Sequence, residues 1–266
     1  HALRSAKRGT GLAGRPIQRL RGQFVKIMSS QQSVVASAST AATGYEATNT
    51  SNTQVGKPWR STVTTETTVT MDAGASFTPA SLCLQDVNFA SAAISYSADN
   101  ISYSAAGTLT TYADLNGRRK GSLEFTNTCR YIKITIASGT PTDSAAYWSI
   151  GAAYVFKTVA TAAMAPSVGL SQEVVYPQAS YELANGRTVV AELGNKFTLL
   201  SGQTNNRPAD GAGDVVALAR AGNIWIDMEI TANRDRQWPM KFYDNRFTQT
   251  IDEALWPTSF SLKEIV

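Results

Sequence analysis

Bond-breaking chemistry needs several poised groups, and this sequence offers few of them. Its only histidine is His1, the first residue. That argues against a Ser-His-Asp or Cys-His site, because both need an imidazole held inside the fold. The two cysteines, Cys83 and Cys129, lie in separate apolar runs, Leu82-Cys83-Leu84 and Cys129-Arg130-Tyr131-Ile132. One histidine and two distant thiols do not make a zinc ligand set. The thiols read first as buried and free, and second as a disulfide. Carboxylates remain. Asp227, Glu229 and Asp235 could be the acids of glycoside cleavage, whose separation only the fold can fix. Asp227 and Glu229 also read as the solvated face of a strand, which is the simpler assignment. Gly9-Thr10-Gly11-Leu12-Ala13-Gly14 matches a dinucleotide fingerprint, but a basic non-strand segment precedes it and Ser, Gln and Val stand where the acid should be. The expectation is no catalytic residue, no metal and no cofactor.

Binding chemistry is better supplied. The 266-residue chain has a formal charge of +4, which is unevenly spread. Residues 1–30 carry Arg4, Lys7, Arg8, Arg15, Arg19, Arg21 and Lys26 and no acid, leaving 17 bases against 20 acids elsewhere. A mildly acidic body with a basic arm is expected, and the arm's bases are its partner-binding candidates. From Pro16 onward, Ile17, Leu20, Phe24 and Ile27 recur at roughly helical spacing. The arm could clamp its own domain or lie on a neighbouring subunit. Its Arg- and Ser-rich, acid-free composition also resembles a mitochondrial transit peptide. Near the other end, Trp238, Phe242, Tyr243, Phe247 and Trp256 mix with Arg234, Arg236, Lys241 and Arg246. Such a mixture suits a subunit interface first, a core second and nucleic acid last. No apolar run of about 18 residues could span a membrane, and no apolar segment of a secretory leader follows the basic start.

The elements that must position these residues are strands. Charged content is only 17%, and Thr, Tyr, Gly, Asn and Ser favour strands and turns. Ile94-Ser95-Tyr96-Ser97 alternates with the period of a half-buried strand, Asp99-Asn100 offers a turn, and Ile101 and Tyr103 resume. Further strands are predicted at Ser33–Ala38 (an edge), Thr62–Met71, Leu82–Val87, Thr108–Tyr112, Leu123–Phe125, Arg130–Ile136 and Tyr147–Phe156. Residues 157–172 read as a linker. Beyond them, Ala179–Leu183 and Thr188–Leu193 flank Asn185-Gly186, a hairpin signal. Lys196–Leu200 and Ile224–Ile230 read as strands, Asp214–Ala221 as a short helix, and 241–251 and 259–266 as two final strands.

Several of these pieces, in order, resemble the discoidin or coagulation-factor type C module: Trp59-Arg60-Ser61, Met71-Asp72-Ala73-Gly74, Leu82–Asn88, Ile94–Tyr103, Arg130-Tyr131-Ile132-Lys133-Ile134 and Tyr147–Val155. The resemblance covers about residues 33–157. It implies a galactose-binding-like β-sandwich of jelly-roll type, with any ligand held by loops at one end. Ala73 departs from the family's usual Leu, and its terminal cysteines are missing. Trp59 reads as a core plug before a sugar-stacking platform, Arg130 as the partner of an acid, and Asp99 as the cap of its own turn. A discoidin-type loop calcium site, as the resemblance implies it, would take oxygens from Asp72, Asp86 or Asp99.

A second resemblance covers roughly residues 173–266. A hairpin, a strand, a short helix, Ile224-Trp225-Ile226-Asp227 and a closing Phe260-Ser261-Leu262-Lys263-Glu264-Ile265 are similar to tail-tip structural proteins of long-tailed bacteriophages, including distal-tail-like proteins. The expected architecture is therefore all-β: a basic arm (1–30), a discoidin-like sandwich (31–157), a linker (158–172) and a β-rich domain with one short helix (173–266). The leading functional expectation is a non-enzymatic virion component, assembled in the host bacterial cytoplasm and located in a tail. It would act through contacts with its own copies and other virion proteins. A carbohydrate-binding module contacting host-surface glycans is the alternative, and a carboxylate hydrolase the third.

Overall fold

A computed structural model describes residues 24–51, 57–114, 117–163, 171–175, 178–182, 188–192, 197–206, 222–228, 237–242 and 256–264. Two sheets face each other across the first half of the chain. The smaller has the order β2 (Val35–Ala38), β4 (Thr67–Phe77), β10 (Cys129–Ile136), β6 (Ser91–Ser97), β7 (Ser104–Thr110). Its strands alternate as their sequences require. Val69 and Met71 on β4, Ile94 on β6, and Ile132, Ile134 and Ile136 on β10 point inward, while Tyr131, Lys133 and Thr135 take the other face of β10. The larger sheet has eleven strands. Along it run β12 (Ser171–Val175), β15 (Phe197–Asn206), β18 (Trp256–Glu264), β17 (Gln237–Phe242), β16 (Ile224–Met228), β1 (Phe24–Gln32), β11 (Ser149–Ala163), β5 (Ser81–Val87), β9 (Arg119–Glu124) and β8 (Tyr112–Ala113), with β3 (Trp59–Arg60) on β11. β13 (Gln178–Glu182) and β14 (Thr188–Glu192) pair as a separate two-stranded sheet; the predicted Asn185-Gly186 turn lies outside the described residues.

The large sheet has a core on each face. Leu82, Leu84, Ile150, Ala153 and Val155 join the sandwich core with Trp59. Met28, Cys83, Ala152, Tyr154, Phe156 and Trp225 pack on the opposite face. The second core exists because the sheet curls. β16 and β9 are separated by β1, β11 and β5, and at ~4.8 Å per strand step a flat sheet would hold them about 19 Å apart. Yet the Ser122 hydroxyl on β9 donates to Asp227 Oδ2 on β16 at 3.1 Å, and Lys26 Nζ on β1 meets Glu124 Oε1 on β9 at 2.7 Å. The strands wrap round an apolar interior and meet across it.

Three expectations need correcting. Phe24 and Ile27 belong to β1 and not to a helix, because ladders to β11 and β16 on both sides outweigh a local periodicity. The first residues of the expected linker are strand, since β11 continues to Ala163 along β1. On β16, Ile224, Trp225 and Ile226 are all buried, so the face carrying Asp227 looks into the curl and not into solvent. The predicted helix at 214–221 lies outside the described residues.

Candidate functional site

Three segments meet at one end of the sandwich: the end of β5 (Asp86–Asn88), the β8–β9 turn (Ala113 and Gly117–Arg119), and the β10–β11 connection with Thr142 and Asp143, together with Ser149 at the start of β11. They line a recess of about 370 Å³, at the small end of the range for ligand sites. β5 enters it through an irregularity. Its register against β9 shifts between Gln85 and Val87, and Asp86 takes φ 52°. A bulge leaves one residue unpaired and re-aims its side chain, and Asp tolerates left-handed backbone better than most residues. Asp86 thereby reaches the recess wall.

Asn88 fixes the next piece. Its Nδ2 donates to Tyr147 O at 2.9 Å and Asp143 Oδ1 at 3.1 Å, and its Oδ1 accepts from Ser149 N at 2.7 Å. These bonds tie β5 to the β10–β11 connection. The opposite turn is closed by Asp114, whose N–H donates to Arg118 O at 2.8 Å while Oδ1 accepts from Arg118 N at 3.0 Å. Gly117 supplies the left-handed residue, at φ 78°. Behind the turn, Asp114 Oδ2 meets Lys120 Nζ at 2.9 Å, both groups being buried, and Arg118 Nε lies 3.8 Å from Asp86. Arg119 Nε donates to Thr111 Oγ1 at 3.0 Å and Phe89 O at 3.3 Å, and Nη2 to Thr111 O at 2.6 Å.

None of the described lining residues is aromatic. Four tyrosine rings of the sandwich carry the chain's own cations. Arg60 sits between Tyr45 and Tyr147, at 4.1 and 4.8 Å from their centroids. Lys133 Nζ lies 3.3 Å from the Tyr103 ring and Arg130 4.9 Å from Tyr131. One face of each ring is taken by the chain's own cation. The recess is therefore suited to hydrogen-bonding a polar ligand, not to stacking on it.

Apart from Asp86, the described residues singled out from the sequence fall elsewhere. Trp59 is fully buried and donates to Thr40 O at 3.0 Å, so it is the core plug. Arg130 forks onto Asp72 at 2.7 and 2.8 Å, and that hydrogen bond holds the Asp72 carboxyl below its ordinary value. Asp99 caps its turn, accepting from Ile101 N and Ser102 N, and these backbone donors bring its pKa to about 2. Asp72, Asp86 and Asp99 do not converge, and no group of three or more metal-ligating side chains occurs among the described residues. Cys83 and Cys129 are buried free thiols. Burial pushes Cys83 well up and Cys129 to about 11. Lys26 is on β1, paired with Glu124. Trp238 and Phe242 lie on β17 and Trp256 opens β18. Arg4, Lys7, Arg8, Arg15, Arg19, Arg21, Glu229, Asp235, Tyr243 and Phe247 lie outside the described residues. Of the recess, the sequence flagged Asp86, and Asn88 only as the end of a strand. Arg118, Arg119, Thr142 and Asp143 were missed, because polar loop residues look alike until the fold gathers them.

No protein-family model matches this chain, and no curated protein does. Solved structures do. The chain is similar to a family 32 carbohydrate-binding module from a family 31 glycoside hydrolase of Clostridium perfringens, at 15% identity and TM-score 0.40, over 47% of this chain and 92% of that one. It is also similar to a family 32 module from a family 89 enzyme of C. perfringens, in complex with GalNAc-β-1,3-galactose, at 14% identity and TM-score 0.41, over 48% and 99%. A third is the family 32 module of C. perfringens NanJ in complex with galactose, at 14% and 0.40, over 49% and 98%. Each is a likeness of fold across about half of this chain. No helix among the described residues is long and apolar enough to cross a membrane.

Proposed function

We propose that the chain is a non-catalytic glycan-binding protein whose binding place is the recess at the end of the sandwich. What supports this most is a single feature: the left-handed bulge at Asp86, which turns a carboxylate toward a wall already fixed by Asn88 and Asp114. A non-glycine residue held at positive φ costs stability and persists where surrounding structure demands it, often at a functional site. Prearranged donors and acceptors in a small recess are what sugar hydroxyls need, since a polar ligand must recover in the site the hydrogen bonds it loses to water. Glycan-array binding by the full chain, compared with Asp143→Ala, tests it. The chain is expected to bind a restricted set of glycans, and the variant to lose at least about tenfold in affinity with its circular dichroism unchanged, as for loss of a charge-assisted bond. An array with no binding would overturn the reading.

A second reading concerns where this module sits: in a bacteriophage tail, as a structural component. It is supported by the tail-tip resemblance of residues 173–266 and by the one sheet that carries the sandwich strands β5 and β11 through β1 into β16, β17 and β18. Such continuity suits a module mounted rigidly on a larger particle. Recovery of the chain with purified particles after density-gradient sedimentation is expected; its absence from intact particles would remove this reading and leave glycan binding untouched.

A further inference from the structure

Within the glycan-binding reading, the charges of the recess select a chemical class of sugar. Asp86 faces Arg118 at 3.8 Å, and Arg118 and Lys120 both face Asp114. Two lining charges have only neutral partners. Arg119 donates to Thr111 Oγ1, Phe89 O and Thr111 O, and no carboxylate lies within 4.0 Å of it among the described residues. Asp143 accepts from Asn88 Nδ2 at 3.1 and 3.4 Å and from Ala145 N at 3.1 Å. Both line the recess and they do not pair with each other. The cavity thus has a cation on one wall and an anion on another.

A guanidinium has five N–H donors in a rigid fork. Here Nε and Nη2 are anchored to the Thr111 and Phe89 oxygens, which fixes the plane of the group and leaves the Nη1 donors without a described acceptor. A neutral sugar entering the recess would meet this guanidinium with hydroxyl acceptors alone, which offset its lost hydration less than a carboxylate does. A sugar bearing a carboxylate would compensate it with charge-assisted bonds. The Asp143 carboxyl oxygens are acceptors, which suit hydroxyls of the same sugar. We propose that the recess binds a hexuronate-type acidic sugar, its carboxylate on Arg119 and its ring hydroxyls on Asp143.

Isothermal titration of the full chain tests this with tetramers of galacturonate, mannuronate and guluronate, the methyl ester of the galacturonate tetramer, neutral galactotetraose and a glucosamine tetramer. At least one free acid is expected to bind at least about tenfold more tightly than the neutral and the amino sugar, with affinity falling as salt rises. If galacturonate is the one that binds, its ester is expected to be weaker by a similar factor. Arg119→Lys keeps the charge without the fork and is expected to weaken acid binding; Asp143→Asn, remote from the Thr111 anchor, serves as the second variant and should weaken it too. Equal or tighter binding of galactotetraose, or preference for glucosamine, overturns the acidic-sugar assignment and leaves glycan binding standing. Failure of every probe here together with an empty glycan array removes both.

Discussion

Gly121 stands on β9 against β7 of the facing sheet. A Cβ there would lie 2.4 Å from the Thr110 carbonyl oxygen and 2.8 Å from Leu109 Cδ2. The first contact is backbone and cannot turn aside. Gly121→Ala should therefore cost about 1–3 kcal/mol, read from urea denaturation, through overpacking. Asp99 shows a different kind of local control. Its carboxylate accepts two backbone N–H groups and the Ser97 hydroxyl, which lowers its folded pKa to about 2. A depressed pKa means that the ionised cap's stabilisation is present above the unfolded value of about 3.9 and is lost as pH falls through about 2. Asp99→Ala is expected to melt below the wild type at pH 7, and the two melting temperatures should converge between pH 4 and pH 2. The thiols give a third check. Both are buried, and burial raises both pKa values, so a disulfide-exchange reagent at pH 8 should find no reactive cysteine in the native chain and two in urea.

At the scale of elements, β1 matters most. It lies between β11 and β16, with Lys26 paired to Thr161 on one side and Asp227 on the other. Removing residues 1–23 leaves the strand whole and should leave the melting temperature within a few degrees of the full chain's. Removing residues 1–32 should abolish cooperative unfolding, because β11 and β16 would lose their shared neighbour and Met28 its place in the second core. Circular dichroism on the two truncations decides it. β1 also marks how far the sequence could be read. The sandwich strands were legible because one face of each is buried and the other is not, as in Cys129–Ile136, where Ile132, Ile134 and Ile136 turn inward and Tyr131 and Lys133 outward. The Asp99 turn was legible from turn chemistry, and the pairing of β13 with β14 from the turn residues between them. β1 was not, because Ile27, Met28 and Ser29 are buried in succession between two neighbouring strands and alternation is erased; β16 was legible as a strand at Ile224–Ile230, and only the solvated face given to Asp227 misled. The recess was hidden for another reason: its walls come from residues 86–88, 113, 117–119, 142–143 and 149, and only the fold brings those together.

At the scale of the molecule, the large sheet is shared by both halves of the sequence. The curl is closed by Ser122 on Asp227 and by Lys26 on Glu124, and its interior holds side chains from β1, β5, β11 and β16. The chain should accordingly unfold as one unit, giving a single calorimetric transition with van't Hoff and calorimetric enthalpies in agreement. Two separated transitions would mean that the sandwich holds without its neighbour. The same arrangement bears on synthesis. Val25 pairs with Met228 and Phe24 with Ala163, so the strand that leaves the ribosome early must wait for partners translated much later. Meanwhile Phe24-Val25-Lys26-Ile27-Met28 is an apolar segment with both edges open, the sort of sequence that holdase chaperones capture and that self-associates when they do not. Chains stalled before residue 224 should therefore stay chaperone-bound, and full-length chains should let go.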